Sequence, residues 1–398
     1  MWTRFCQKNI KKQGDLMGFD AEAKAPGKIL WLGGYSVLER PNIGFVTTVN
    51  AYVHARVKSL DESVIEIRAP QLSEVARGRV VADTGVLSVA APKKLILLKT
   101  SVEIAMRYVA CKGISLKGLR IETRNDPAFS YTVRAGKVVK SGLGSSAAVA
   151  VASIAAILKA YNVSLSEDDA LHKLAQAAHS IATGKIGSGF DIAAAVHGSI
   201  LYQRYSPDIL KGFPAAYSND DLRLLISRQW DYKIEKLALP NMFSLSFANF
   251  LGEGMVTTAA IGSVSEFKGK EPGKYMELIG KINNENEDAV AAMRNLVNGK
   301  DEKSNLALFK SAFDRGRLLT KQLGILSHVG IEDDDMTKLI EESTSNGAFV
   351  AKLPGAGGRD SIAALSLNGN DERLVEFWRS RKGMEILGIK IVNEGVIS

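Results

Sequence analysis

The sequence predicts a two-domain α+β protein, and three observations carry that expectation. Residues 22–70 alternate in the manner of strands, whereas 145–197 run as helices rich in small apolar residues. A polar stretch with Pro207, Gly212, Pro214 and Ser218 to Asp221 then interrupts the pattern. Beyond it, a closing β–turn–β–α–β run points to an antiparallel sheet with helices on one face. A chain of 398 residues also exceeds a single domain of about 150. The expected division is 17–210 and 211–398, with residues 1–16 as a dispensable extension ahead of a second start at Met17.

In order, strands are expected at Lys28 to Leu32, Phe45 to Val49, Tyr52 to Val57 and Val64 to Ile67, where apolar residues alternate or cluster. Leu95 to Tyr108 has helical spacing, and Ile114 to Thr123 alternates. Ser145 to Ala160 lacks Gly and Pro and reads as a buried helix. Glu167 to Thr183 follows as a second helix behind a Ser166 cap with acids in its first turn. A short helix begins at Asp191, and Ser199 to Tyr205 is a strand. The second half is expected to hold strands at Leu222 to Arg228 and Phe243 to Ala248, with long helices within 271–298 and 302–323. The closing run is helix 333–345, strand Ala348 to Lys352, a glycine-rich turn, strand Ile362 to Leu367, helix Asp371 to Arg381 and a strand near 386–392.

The charge balance concerns partners, not fold. Fifty-one Lys and Arg against 43 Asp and Glu give +8, of which +3 lies in residues 1–16. Aromatics are only 7%, and no basic stripe is interleaved with them, which argues against nucleic acid. The run Ala147 to Leu158 is too short to cross a bilayer. Cys6 and Cys111 stand alone, without zinc spacing, as in a reducing, cytoplasmic setting. The five histidines, at 54, 172, 179, 197 and 328, form no metal-binding motif and are taken as structural or surface.

The strongest chemical signal is Lys140-Ser141-Gly142-Leu143-Gly144-Ser145-Ser146-Ala147-Ala148, running straight into a helix. A helix start presents unpaired N–H groups and a positive dipole end, and glycines let the backbone approach a phosphate. The bland alternative is a serine-capped helix. A Rossmann site would need an acidic residue about 20 positions on at a strand end; Glu167 and Asp168 open a helix instead. No Lys-Ser/Thr follows the glycines, so the Walker pattern fails as well.

Two further Gly/Lys turns are Lys24-Ala25-Pro26-Gly27-Lys28, leading to Gly33-Gly34-Tyr35, and Lys352-Leu353-Pro354-Gly355-Ala356-Gly357-Gly358-Arg359-Asp360. A fourth segment, Gly184-Lys185-Ile186-Gly187-Ser188-Gly189-Phe190-Asp191, supplies a carboxylate that is either an N-cap or a catalytic acid.

In order and spacing, Ala25 to Leu32, Gly142 to Ala148 and Lys352 to Asp360 resemble the three motifs of the GHMP kinase superfamily. That group includes the galactokinases, homoserine kinases, mevalonate kinases and phosphomevalonate kinases. The likeness spans nearly the whole chain and is nearest the phosphomevalonate kinase branch. Lys140-Ser141, Gly184 to Tyr205 and Gly33 to Leu38 carry that narrower likeness. Arg359 stands where the branch more often has glycine.

The resemblance implies an N-terminal domain like ribosomal protein S5 domain 2 and a ferredoxin-like C-terminal domain, with the site between them. It implies Mg·ATP and 5-phosphomevalonate as reactants, in a monomer or homodimer. Lys28 and Asp191 would be catalytic. Lys140, Gly142, Leu143, Gly144, Ser145, Ser146 and Ala147 would hold ATP, with Ser145 or Ser146 on Mg²⁺. Lys28, Tyr35, Lys185, Ser188, Gly355, Ala356, Gly357, Gly358 and Arg359 would meet the acceptor. The alternatives are mevalonate kinase or another small-molecule kinase of the group, and a non-catalytic ligand sensor with the same fold.

Overall fold

A computed structural model describes residues 18–398 except 61, 133–137, 167–168, 214–215 and 252–256. The expected extension 1–16 and the first-turn acids Glu167 and Asp168 lie outside the described residues.

The chain opens with β1 (Ala21–Leu32), β2 (Ile43–Leu60), β3 (Val64–Ala69), β4 (Glu74–Val80) and β5 (Leu87–Val89). Helix α1 (Ile96–Cys111), β6 (Gly118–Asn125), β7 (Ser130–Thr132) and β8 (Val138–Lys140) follow. Next come α2 (Ser145–Ala160), α3 (Ala170–Thr183), α4 (Phe190–His197), β9 (Ile200–Gln203), a single turn α5 (Asp208–Lys211), α6 (Asn219–Ser227) and β10 (Lys233–Lys236).

The order β10-β9-β2-β6-β3-β4-β5 makes one sheet, with β1 also paired to β2. The two strands expected at 45–49 and 52–57 are one strand, β2, whose length lets β1, β6 and β9 all pair with it. Helix α2 lies against this sheet, and every side chain from Ala150 to Leu158 is buried. Its alanines permit close approach to β1 and β2. Ile154, Ile157 and Leu158 each add about 1.5–3 kcal/mol of burial.

The second half contains β11 (Phe243–Phe250), α7 (Thr257–Lys270), α8 (Pro272–Val297), α9 (Glu302–Leu326) and α10 (Asp334–Ser345). It closes with β12 (Val350–Lys352), β13 (Ser361–Leu367), α11 (Glu372–Ser380), β14 (Met384–Leu387) and β15 (Ile391–Val392). Strands β12-β13-β11-β14 form an antiparallel sheet. Helices α10 and α11 cover one face through Leu339, Ile340, Leu374 and Trp378. The other face is not open. Phe309 of α9 stacks on Phe349 at 6.3 Å and meets Phe243 at 5.9 Å. The expectation of helices on one face is therefore corrected: six of the seven residues of β13 are buried in sequence, as two-sided burial requires.

The segment expected as a strand at Leu222 to Arg228 is helix α6. Ser218 and Asp221 close a capping box at its start. Leu222, Leu225 and Ile226 are buried at helical spacing, while Leu224 faces solvent. The helix expected from Glu167 begins at Ala170, with Asp169 at its N-cap. The last expected strand divides between two sheets. β14 stays in the second, whereas β15 pairs with β2 and Ile397 bridges to Lys24 in the first. No helix among the described residues is long and apolar enough to cross a membrane.

Candidate active site

The serine-glycine loop leaves β8 and enters α2 in four residues. Ser141 is buried, and its Oγ accepts from Asn249 Nδ2 of β11 at 3.3 Å, which ties the loop to the second sheet. Gly144 sits at the helix N-cap in the left-handed region, with φ of 81°. A Cβ there would lie 2.9 Å from Lys28 Cε, so glycine is required by both conformation and space. The first helical bond runs from Ala148 N–H to Gly144 O at 3.2 Å. The N–H groups of Ser145, Ser146 and Ala147 therefore face outward with no acceptor among the described residues. With the helix dipole behind them they form an anion seat. The Leu143 and Ala147 side chains are buried, so these two residues offer main chain only.

Lys28 comes from β1, beside a register shift between Pro26 and Gly27. Its own N–H donates to Leu143 O at 2.9 Å, and its Nζ donates to Gly142 O at 2.9 Å. The first and second glycine-rich segments are thus joined by main chain and by a cation. Burial lowers the Lys28 pKa from its usual value, and the nearby Asp191 carboxylate opposes that shift without cancelling it. The ammonium also lies 5.5 Å from the centre of the Phe190 ring.

Asp191 lies in the first turn of α4, with Oδ1 accepting from Ile192 N–H at 3.0 Å. The turn before it is held from beneath by three buried polar side chains. Arg204 donates to Ile186 O at 3.0 Å, Tyr202 to Ser188 O at 3.1 Å and Gln176 to Gly189 O at 2.8 Å.

The third glycine-rich turn is latched to the first. The Tyr35 hydroxyl donates to Ala356 O at 2.9 Å, and Lys352 Nζ donates to Trp31 O at 3.0 Å. Burial brings the Lys352 pKa down to about 8; Glu332 opposes that shift and Lys28 adds to it. Arg317 pairs with Glu332 behind this lysine.

These parts surround one cleft of about 390 Å³. Lys28, Tyr35, Gly142, Gly144, Lys185, Ser188, Asp191, Gly355 and Ala356 line it. Ser145 and Ser146 are half-buried at the adjoining helix mouth. Lys140 is exposed at the end of β8 and does not line the cleft. Gly357 and Gly358 are buried, and the Gly358 N–H donates to Ile331 O at 2.8 Å. Arg359 turns outward, into ion pairs with Asp333 at 2.9 Å and Asp335 at 2.6 Å. Sequence reasoning gave no part to Gln176 and Tyr205, which also line the cleft, and no individual role to Phe190, Asp360 and Lys352, named there only within their motifs. A polar Gln176 among Leu171, Leu174, Ala175 and Ala178 was the available signal.

Two family models match the chain: "GHMP kinases N terminal domain" over residues 100–199 and "GHMP kinases C terminal" over 292–383. A phosphomevalonate kinase of Saccharolobus solfataricus is 31% identical, with 93% of this chain and 96% of that protein covered. A peroxisomal phosphomevalonate kinase of Arabidopsis thaliana is 28% identical over 92% of this chain and 93% of its own. Among solved structures, the Streptococcus pneumoniae phosphomevalonate kinase in complex with phosphomevalonate and AMPPNP superposes with a TM-score of 0.71. It is 21% identical, with 93% of this chain and 99% of that one covered.

Proposed function

Because the chain belongs to the GHMP kinase family, we propose that it transfers the γ-phosphoryl group of ATP to (R)-5-phosphomevalonate. The products are ADP and 5-diphosphomevalonate, on the mevalonate route to isoprenoids. The relatives named as phosphomevalonate kinases, matched over most of their length, support this acceptor. The carrying observation in the site is the Lys28 to Gly142 bond, which sets a buried cation at the mouth of an anion seat and within electrostatic reach of Asp191.

In this reading the 17–210 unit, completed by β10 and β15, carries ATP, and the rest of 211–398 closes on the acceptor. The open N–H groups at the start of α2 receive the ATP phosphates. The hydroxyls of Ser145 and Ser146 have no hydrogen-bond partner among the described residues, and such oxygens suit a hard cation. When bound there, Mg²⁺ supplies neutralisation of the β- and γ-phosphate oxygens.

Phosphoryl transfer is chiefly positioning and charge stabilisation. A phosphate monoester has a second pKa of about 6, so its attacking oxygen is largely ionised at neutral pH. Asp191 then has little proton to remove, and its work is to orient Lys28. Two anions must instead be brought together, for which Lys28, Lys185 and Lys352 supply positive charge. Arg359 serves the third turn from outside, by fixing it to Asp333 and Asp335. A cytoplasmic location belongs to the same proposal, although one relative is named peroxisomal.

Parallel ATP-coupled assays with mevalonate, 5-phosphomevalonate and 5-diphosphomevalonate test the acceptor. Turnover of the monophosphate is expected. ADP formation with mevalonate alone would make the protein a mevalonate kinase, and CO₂ release from the diphosphate a decarboxylase. No turnover of any of the three would favour a ligand sensor.

A further inference from the structure

Resting on the phosphoryl-transfer reading above, we propose that His172 and Gln176 form a positioning relay that fixes the Gly189 peptide and thereby the approach of Asp191 to the cleft. Both side chains lie on α3, with His172 fully buried and Gln176 only 3% exposed. Gln176 Nε2 is 2.8 Å from Gly189 O and 2.9 Å from His172 Nε2, while its Oε1 is 3.5 Å from the Tyr205 hydroxyl.

The chemistry of these partners leaves one arrangement. Gly189 O can only accept, so the amide atom facing it is nitrogen. The second hydrogen of that nitrogen meets His172 Nε2, which must therefore offer a lone pair. The His172 ring proton is then on Nδ1, where it donates to Asp169 Oδ2 at 3.1 Å. Tyr232 donates to the same carboxylate. The relay runs from Asp169 through His172 and Gln176 to Gly189.

The far end of the relay is where position matters. Gly189 O also accepts the first helical bond of α4, from Ala193 N–H at 3.0 Å. Its direction sets the first turn of that helix, and Asp191 stands two residues on. Gly189 has φ of 81°, and a Cβ there would lie 2.8 Å from the Gln176 amide. Glycine is what allows the amide to come this close.

Asp169, His172 and His197 also bring ligand atoms within 4.8 Å of one another, a spacing that suits a divalent metal. The donor count speaks against that use. A metal on His172 Nδ1 would displace the ring proton to Nε2, where it would point at a nitrogen already committed to Gly189 O. His197, lowered to about 4 chiefly by its burial, stands as an uncharged neighbour at 3.6 Å from Asp169.

The test has two arms on the full-length protein. Long-range ¹H–¹⁵N spectra of the histidine rings, with His172 assigned through His172→Gln, should show Nδ1 protonated and Nε2 bare. A proton on Nε2, or displacement of these signals by stoichiometric Zn²⁺, overturns the relay. This arm is independent of what the enzyme phosphorylates, so failure of wild type to turn over 5-phosphomevalonate would sink the functional reading and leave the relay to the spectra. In the kinetic arm, Gln176→Glu keeps the shape without an N–H donor, and Gln176→Leu removes the polar group. Each should lower kcat at least about tenfold while KM for ATP stays within about twofold. Unchanged kcat, or a joint change in kcat, KM for ATP and melting temperature, contradicts a positioning role.

Discussion

The Tyr35 hydroxyl donates to the Ala356 carbonyl at 2.9 Å, joining two glycine-rich turns that lie 321 positions apart in the chain. Tyr35 is itself in the left-handed region, with φ of 60°, and belongs to a buried apolar cluster with Ile279, Ile282 and Ile331. Burial pushes its pKa up to about 12, so the hydroxyl remains a donor throughout the working range. The third turn is thereby held over the cleft from the first.

Tyr35→Phe keeps the packing and removes only this bond. A single hydrogen bond contributes about 0.5–1.5 kcal/mol, so KM for the acceptor should rise roughly 2- to 10-fold. KM for ATP, whose proposed seat is at α2, should hold. Steady-state kinetics with each substrate varied in turn will separate the two.

Lys28 and Asp191 should not be equivalent. Removing a buried cation that faces developing phosphoryl charge costs on the order of 10²–10³ in rate, as expected for Lys28→Met. Asp191→Asn keeps the shape and loses only the charge proposed to orient Lys28, so its loss should be smaller. Equal, severe losses in variants shown to be folded would mean that Asp191 removes a proton after all.

Gly144→Ala places a methyl 2.9 Å from Lys28 Cε at a residue with φ of 81°. Left-handed backbone costs an alanine about 1–2 kcal/mol before any contact is counted. Both a lower melting temperature and a raised KM for ATP are expected, measured by thermal unfolding and by ATP titration.

Lys352 predicts opposite pH trends for activity and stability. Its folded pKa is lowered to about 8 from the usual 10.5, first by burial. The positive charge is present below pH 8 and lost above it, so kcat/KM for the phosphorylated acceptor should fall as pH rises through that value. Between pH 8 and 10.5 the unfolded chain binds more protons at this position, so the group's contribution to stability rises with pH in that window. Lys352→Gln should flatten both trends when its profiles are compared with wild type.

Much of the site is legible in the sequence because glycines punctuate it. Gly142, Gly144 and the serines mark a helix start that reads as an anion seat or a serine cap until Gly144, not a serine, takes the N-cap position, and Lys28 follows a Pro-Gly break inside a strand. What escaped is what depends on a distant partner. Arg359 faces away from the cleft because Asp333 and Asp335, at the start of α10, capture it. Gln176 enters the site only because α3 packs beneath the turn at Gly189. One error was local, and another was a matter of packing. Ser218 and Asp221 resemble a polar linker until their reciprocal hydrogen bonds make them the cap of α6. The small apolar residues of β13 do not say that both faces are covered, which is decided by Phe309 of α9.

The destination of the transferred phosphoryl group decides which acceptor this kinase serves. Incubation of the full-length protein with Mg·ATP and (R)-5-phosphomevalonate, followed by ³¹P NMR of the purified product, reads this directly. Two mutually coupled phosphorus signals, the mark of a P–O–P diphosphate at carbon 5, are the predicted result. Two uncoupled monoester signals, or an unaltered acceptor beside phosphorylated mevalonate in a parallel tube, would contradict it.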